Sequence, residues 1–339
     1  MSGIIYDKLD PLFETIALIS VSRNFDETKS ETVLAINELG LDGDKFYATQ
    51  MTVYEAYVQE FSHHYKPGKD DALFFDGGSS SMLLLLMCLF FENRDHIASI
   101  DRFKDSEINA EIIELCCGLY DLKPPKRVNG VESIMTFIDD CPFTESEKWK
   151  LLQIMKSPKI HFAQLAATIS TNIAAFEKAQ SKVRAPLNKL IGQYTETVKD
   201  DDKEIFGKLR KSLSETADVY PSLALPVSQL VFSNSCYYGL LSTVLVKQES
   251  PDQEFVLRCL KALSDSSRLE ILRSIKVKPK YNLEVAEQLG LTAATMSHHM
   301  GVLLACGFVG VNKQESKVYY HLEEEAVSQF IETLKQILI

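Results

Sequence analysis

Apolar residues recur at helical spacing through most of the first 190 positions of this 339-residue chain, and the pattern changes near position 220. Segments 11–21, 31–39, 51–64, 81–92, 108–117, 131–138, 145–155 and 162–182 each show the three-and-four-residue recurrence that predicts a helix. Thr144 before Glu145-Ser146-Glu147 predicts a capped start. Breakers fall between the segments at Gly40, Pro67-Gly68, Gly77-Gly78, Pro124-Pro125, Pro142 and Pro186. Met82 to Phe91 is apolar on every side, as a buried central helix would be. Around 220–247, Pro221, Pro226, Ser233-Asn234-Ser235 and the β-favouring runs Leu230-Val231-Phe232 and Thr243-Val244-Leu245-Val246 predict extended chain. Polar Lys247 to Glu254, with Pro251, is the expected linker. The expected architecture is therefore mainly α. A large helical domain over 1–247 precedes a smaller domain over 255–339.

That smaller domain has the pattern of a winged helix-turn-helix. Val256, Leu257, Leu260 and Leu263 fall close to one stripe of a first helix. Ser267-Arg268-Leu269-Glu270 fits a capping box for a second helix burying Leu269, Leu272 and Ile275. Asn282 can cap a third helix that buries Val285, Ala286 and Leu289 and stops at Gly290. Thr292 caps a fourth over 292–305, whose stripe Met296, His299, Met300 and Leu303 faces the core. Its other face carries Ala293, Ala294, Ser297, His298 and Gly301, with Thr295 at the border. Small residues permit close approach to a groove floor, and Ser297 and His298 can bond base edges or phosphates. Gly307 ends this helix. Phe308 to Val311 and Val318 to Leu322 read as strands around a loop at 312–317, with Lys313 and Lys317 placed for phosphate. The last helix, Glu323 to Ile339, carries an apolar stripe at Val327, Phe330, Ile331, Leu334, Ile337 and Leu338. Together with Val256 and Leu260 it reads as the seam of a two-fold homodimer.

Charge sharpens the picture. The net charge of −11 lies entirely in residues 1–253, whereas 254–339 hold ten basic and ten acidic residues. Within 258–317, nine basic residues face five acidic ones. An acidic front suppresses non-specific binding while the basic section approaches phosphate. Seven scattered cysteines without a CxxC pair fit a reducing cytoplasm. The longest apolar run, ten residues, is too short to span a bilayer, so no membrane partner is expected. Cys116-Cys117, Cys259 and Cys306 read as core residues and His63-His64 as a helix end, with no metal site. No nucleophile elbow, phosphate loop, HExxH or dinucleotide fingerprint occurs. Neither enzymatic activity nor a resident cofactor is expected, and the candidate sites are not catalytic.

Three strings occur in the order and spacing of a known family. They are Leu263-Ser264-Asp265-Ser266-Ser267-Arg268-Leu269-Glu270-Ile271-Leu272, Thr295-Met296-Ser297-His298-His299-Met300 and Val318-Tyr319-Tyr320-His321-Leu322. Through them residues 255–339 resemble the ArsR family of bacterial winged-helix repressors. The resemblance implies a homodimer joined by the domain's first and last helices that reads an imperfect palindrome in double-stranded DNA. Many members bind metal through paired cysteines on the helix before the recognition helix; here that helix, Leu283 to Leu289, has no ligand type except Glu. Others use His and carboxylates on the last helix, which here lacks His beyond His321. The wing also lacks the family's usual Arg and Gly. The expected function is a transcriptional regulator, a repressor, with an unidentified small-molecule effector acting on the front domain. The competing reading is a winged helix used only for protein interaction or dimerisation, without an operator; the acidic total charge favours it.

Overall fold

A computed structural model describes residues 3–39, 41–76, 85–87, 89, 91, 100–120, 122–125, 131–199, 207, 210–211, 216–232, 234–242, 253–291, 293–314 and 317–339. The first section contains α1 (Pro11–Arg23), α2 (Phe25–Glu38), α3 (Gly43–Gln50), α4 (Thr52–His64), α5 (Asp71–Phe75), α6 (Asp105–Tyr120), α7 (Val131–Asp140), α8 (Glu145–Lys156), α9 (Pro158–Lys182) and α10 (Arg184–Lys199). A small sheet follows, with β1 (Asp218–Ser222), β2 (Gln229–Val231) and β3 (Ser235–Gly239) in the order β1-β3-β2. β1 runs parallel to β3, and β2 antiparallel to it. The protein is mainly α, as the periodicity predicts.

Local chemistry explains these boundaries. Asp10 caps α1 by accepting from the Leu12 amide at 3.0 Å, and Pro11 occupies a first-turn position that needs no amide donor. Thr144 and Glu147 form the capping box of α8. Helices α3, α5 and α10 were not expected. Gly43 opens α3 behind the Asp42 cap, and Pro186 sits in the first turn of α10, where its ring is tolerated. The long α9 packs against α1 and α4. Leu85, Leu86, Met87, Leu89 and Phe91 are helical and buried, whereas 77–84 lie outside the described residues. The extended reading holds for β2. β3 and most of β1 also fall within the range read as extended, although neither β-favouring run named there lies in them, and Thr243 to Val246 as well as the linker 247–252 lie outside the described residues.

The sheet joins the helices through aromatic rings and two buried acids. Tyr237 on β3 stacks on Phe13 at 3.6 Å and meets Phe91 at 5.3 Å. Its hydroxyl donates to Asp10 at 2.7 Å. Glu14, one turn on, is fully buried. One of its oxygens accepts from the Leu223 amide at 3.2 Å. The other accepts from the Ala224 amide at 3.0 Å and the Tyr57 hydroxyl at 2.9 Å. Burial pushes the Glu14 carboxyl up to about 7, against the opposing pull of Ser222, Tyr57 and the two amides. Nothing in the hydrophobic pattern of α1 announced either acid.

A second hydrophobic core gathers Val256, Cys259, Ile271, Met296, Leu303 and Phe308, among others, and shares no residue with the first. It is built by α11 (Gln253–Leu263), α12 (Ser266–Val277), β4 (Lys280–Tyr281), α13 (Asn282–Leu289), α14 (Ala293–Ala305), β5 (Val309–Gln314), β6 (Lys317–Leu322) and α15 (Glu324–Leu338). The strands pair antiparallel in the order β4-β6-β5. This is the expected winged helix-turn-helix with one extra strand, β4.

Gly290 and Gly307 end α13 and α14 with φ of +66° and +72°. In each case the following residue's amide reaches back to close a Schellman turn: Leu291 to the Ala286 carbonyl at 2.9 Å, Phe308 to the Leu303 carbonyl at 3.1 Å. A Cβ at either glycine would meet no atom within 4 Å. Only backbone strain opposes a side chain there, so Gly290→Ala is expected to lower stability by about 1 kcal/mol in a thermal or urea melt.

Candidate nucleic-acid interface

The geometry of α14 is fixed from beneath. Met296, Met300, Val302 and Leu303 are buried in the domain core. His299, only 8% exposed, accepts at Nδ1 from the Arg268 Nε at 3.4 Å. The same guanidinium donates to the Ala262 carbonyl at 3.5 Å. Arg268 thus bridges the end of α11, the start of α12 and the middle of α14. His299 is a structural residue, as its place in the stripe predicts, and its Nδ1 serves as an acceptor.

The cap of α12 differs from expectation. Helix α12 begins at Ser266, and Asp265 is its cap, accepting from the Arg268 amide at 3.0 Å. Ser267 therefore lies inside the helix and forms no capping box. Desolvation raises the Asp265 carboxyl, but the Arg268 amide, His299 and the Arg268 guanidinium outweigh it and hold the group below its ordinary range. An earlier start rotates the buried face: Ile271 and Ile275 are buried, and Leu269 is exposed. Tyr281, paired with Tyr319, occupies the cap position of α13 and its side chain does not cap the helix; Asn282 is the first helical residue instead. Lys280 Nζ closes the junction, donating to Gln288 at 2.6 Å and Ser274 at 2.9 Å.

The residues expected to contact DNA divide between α14 and the wing strands. The backbone of α14 turns positions 294, 297, 298 and 301 away from the Met296–Met300–Leu303 stripe. Gly301 there is exposed. Thr292 lies outside the described residues, as do the side chains of Ala293, Ala294, Thr295, Ser297 and His298. The wing strands run further than the pattern suggests. Pairing continues to Gln314 opposite Lys317, so the expected loop at 312–317 is largely strand. Lys313 pairs with Val318 in this ladder, and the side chains of Lys313 and Lys317 lie outside the described residues.

The expected dimer residues divide into two sets. Val256 and Phe330 are buried in their own domain; Phe330 meets Phe308 edge-on at 5.3 Å. Val327 and Leu334 are half-buried against the same core. Leu260, Ile331 and Leu338 are exposed, and so are Leu257 and Ile337. Helix α11 therefore has two apolar stripes rather than one: Val256, Cys259 and Ala262 inward, Leu257 and Leu260 outward. The sequence reading missed the inward stripe because Cys and Ala are small.

The residues that build this geometry, two helices joined through a left-handed glycine and followed by a hairpin, match a known family in sequence. Residues 265–311 match the model of the bacterial regulatory protein, arsR family. A cadmium resistance transcriptional regulatory protein CadC homolog of Staphylococcus aureus is 34% identical over 89 residues, 26% of this chain and 71% of its own length. The chain belongs to the arsR family of bacterial regulatory proteins. An arsenical resistance operon repressor of the same species is 35% identical over 78 residues, covering 23% of this chain and 75% of that protein. A probable mercury resistance operon repressor of Streptomyces lividans is 28% identical over 93 residues, covering 27% and 73%. No solved structure matches the chain. These family relatives are matched by about a quarter of the present chain, which adds a helical section that they do not explain. Among the described residues, no three His, Cys, Asp or Glu side chains group as a metal site. No helix of the described residues is long and apolar enough to cross a membrane.

Proposed function

We propose that the protein is a DNA-binding transcriptional repressor that acts as a homodimer. In this reading the chain divides into a sensing domain over 1–247 and a DNA-binding domain over 255–339, a division that the two separate hydrophobic cores support. Helix α14 enters the major groove with Thr292, Ala293, Ala294, Thr295, Ser297 and His298, and the wing brings Lys313 and Lys317 to the backbone. The observation that carries this reading is the anchored α14, with its core face held by Met296, His299 and Leu303 and its opposite face turned outward. Family membership supports it, as do the relatives named as operon repressors. The protomers meet through the outward faces of α11 and α15, where Leu257, Leu260, Ile331 and Leu338 are uncovered.

Selection of bound fragments from random duplex DNA tests the proposal: an enriched two-fold motif is expected, and no enrichment would leave only an interaction module. With three to four phosphates neutralised per protomer, a dimer should show a log–log salt slope of about −6. Ser297→Ala combined with His298→Ala is expected to weaken operator binding by about tenfold or more while sparing non-specific binding. Equal losses on both DNAs would remove base reading from these two positions.

A further inference from the structure

The first section encloses a cavity of about 270 Å³ between α1, α2, α4, α5, α8 and the connection from β1 to β2. Its inner wall is aromatic: Tyr54, Phe74 and Phe75 line it and are themselves buried. Its lining also holds Glu31 of α2, an exposed residue that marks the cavity's mouth. Desolvation and the neighbouring Glu27 both push the Glu31 carboxyl up, and no cation among the described residues offsets them. Two bases lie nearby, and both are drawn to Asp76: Lys150, which itself lines the cavity, and Arg23. Lys150 Nζ donates to the Asp76 carbonyl, and Arg23 Nε donates to the Asp76 carboxylate at 2.7 Å.

We propose that this cavity is a ligand site for an organic cation, a protonated or quaternary amine carried on a ring-sized apolar body. The inference rests on the reading of residues 1–247 as a sensing domain and supplies the chemistry of what is sensed. The volume suits a small ring compound. Aromatic faces attract a cation through their quadrupoles, and the Glu31 carboxylate adds to that attraction. An anion would instead confront Glu31, Asp76 and Glu147, three lining acids against one lining base, Lys150. A neutral apolar guest would desolvate Glu31 further with no compensating charge. The occupied cavity would also bear on the segment Ala224 to Ser228, whose first residue is held by Glu14.

Calorimetric titration of the full chain tests the site with three probes of one shape: benzyltrimethylammonium, 2-phenylethanol and phenylacetate. The cation should bind tightest, and Glu31→Gln should weaken it by about tenfold while leaving 2-phenylethanol unchanged. An unaltered melting temperature of the variant would establish that it folds. Indifference to ligand charge, indifference to the substitution, or no cation binding would overturn the proposal. Operator affinity measured with and without saturating cation judges the sensing reading separately. A cation that binds as described but leaves DNA affinity unchanged sustains the site and removes its sensory role.

Discussion

Glu14→Ala is expected to destabilise the protein by about 3–5 kcal/mol, more than any surface substitution could. The truncation strands four donors at once: the Tyr57 and Ser222 hydroxyls and the amides of Leu223 and Ala224. It also leaves a void where a fully buried side chain stood. The carboxyl group makes stability depend on pH in a direction opposite to that of a salt-bridged acid. Burial raises its folded value from the ordinary 4.5 to about 7. Between those two values the folded chain holds a proton that the unfolded chain has released. The stabilisation is therefore complete below pH 4.5 and is lost as pH rises through 7, a change of roughly 3 kcal/mol. Urea midpoints measured from pH 4 to 8 should fall more steeply for the natural chain than for Glu14→Gln. Parallel curves would assign the pH dependence to other groups.

Placing charge on the outward faces of α11 and α15 should affect assembly instead of folding. Ile331→Glu with Leu338→Glu alters two side chains that are exposed within the protomer, so the melting temperature should hardly move. Each added carboxylate would be buried without a partner in the proposed dimer, beside Glu332 and its counterpart. Sedimentation should then give monomers, and operator affinity should drop by about 100-fold, because one protomer reads only half of a two-fold site. A variant that remains dimeric would place the protomer contact elsewhere.

Residues made legible by periodicity were those whose role is to be buried or to break a helix. Met296, Met300, Leu303, Gly290 and Gly307 lie where the pattern put them, and Thr144 caps α8 as its spacing implies. The misreadings share a physical cause. Asp265 and Ser267 are both good caps two residues apart, and only the fold decides which amide is free. The inward face of α11 consists of small residues that carry little hydrophobic signal. β4 spans only two residues, too short to show any period. Glu14 and Arg268 are charged groups in buried positions, satisfied by partners 209 and 31 residues away in sequence, and local pattern carries no trace of such distances. The candidate DNA face was legible as residue chemistry, and the cavity was not, because its lining is drawn from six separate segments.

The wing acts as a mechanical arm. Six residues on each side are paired, giving a ladder of about 20 Å. Hydrogen-bonded along its length, such an arm tilts as one piece, and its direction is set at the root, where Phe308 abuts Phe330 of α15. A tilt of about 5° at that hinge would carry the far end through nearly 2 Å over a ladder of this length, close to half a hydrogen-bond distance. In the proposed dimer on DNA, small adjustments where two protomers touch would thus be magnified at the phosphates, with no rearrangement of the helices in between.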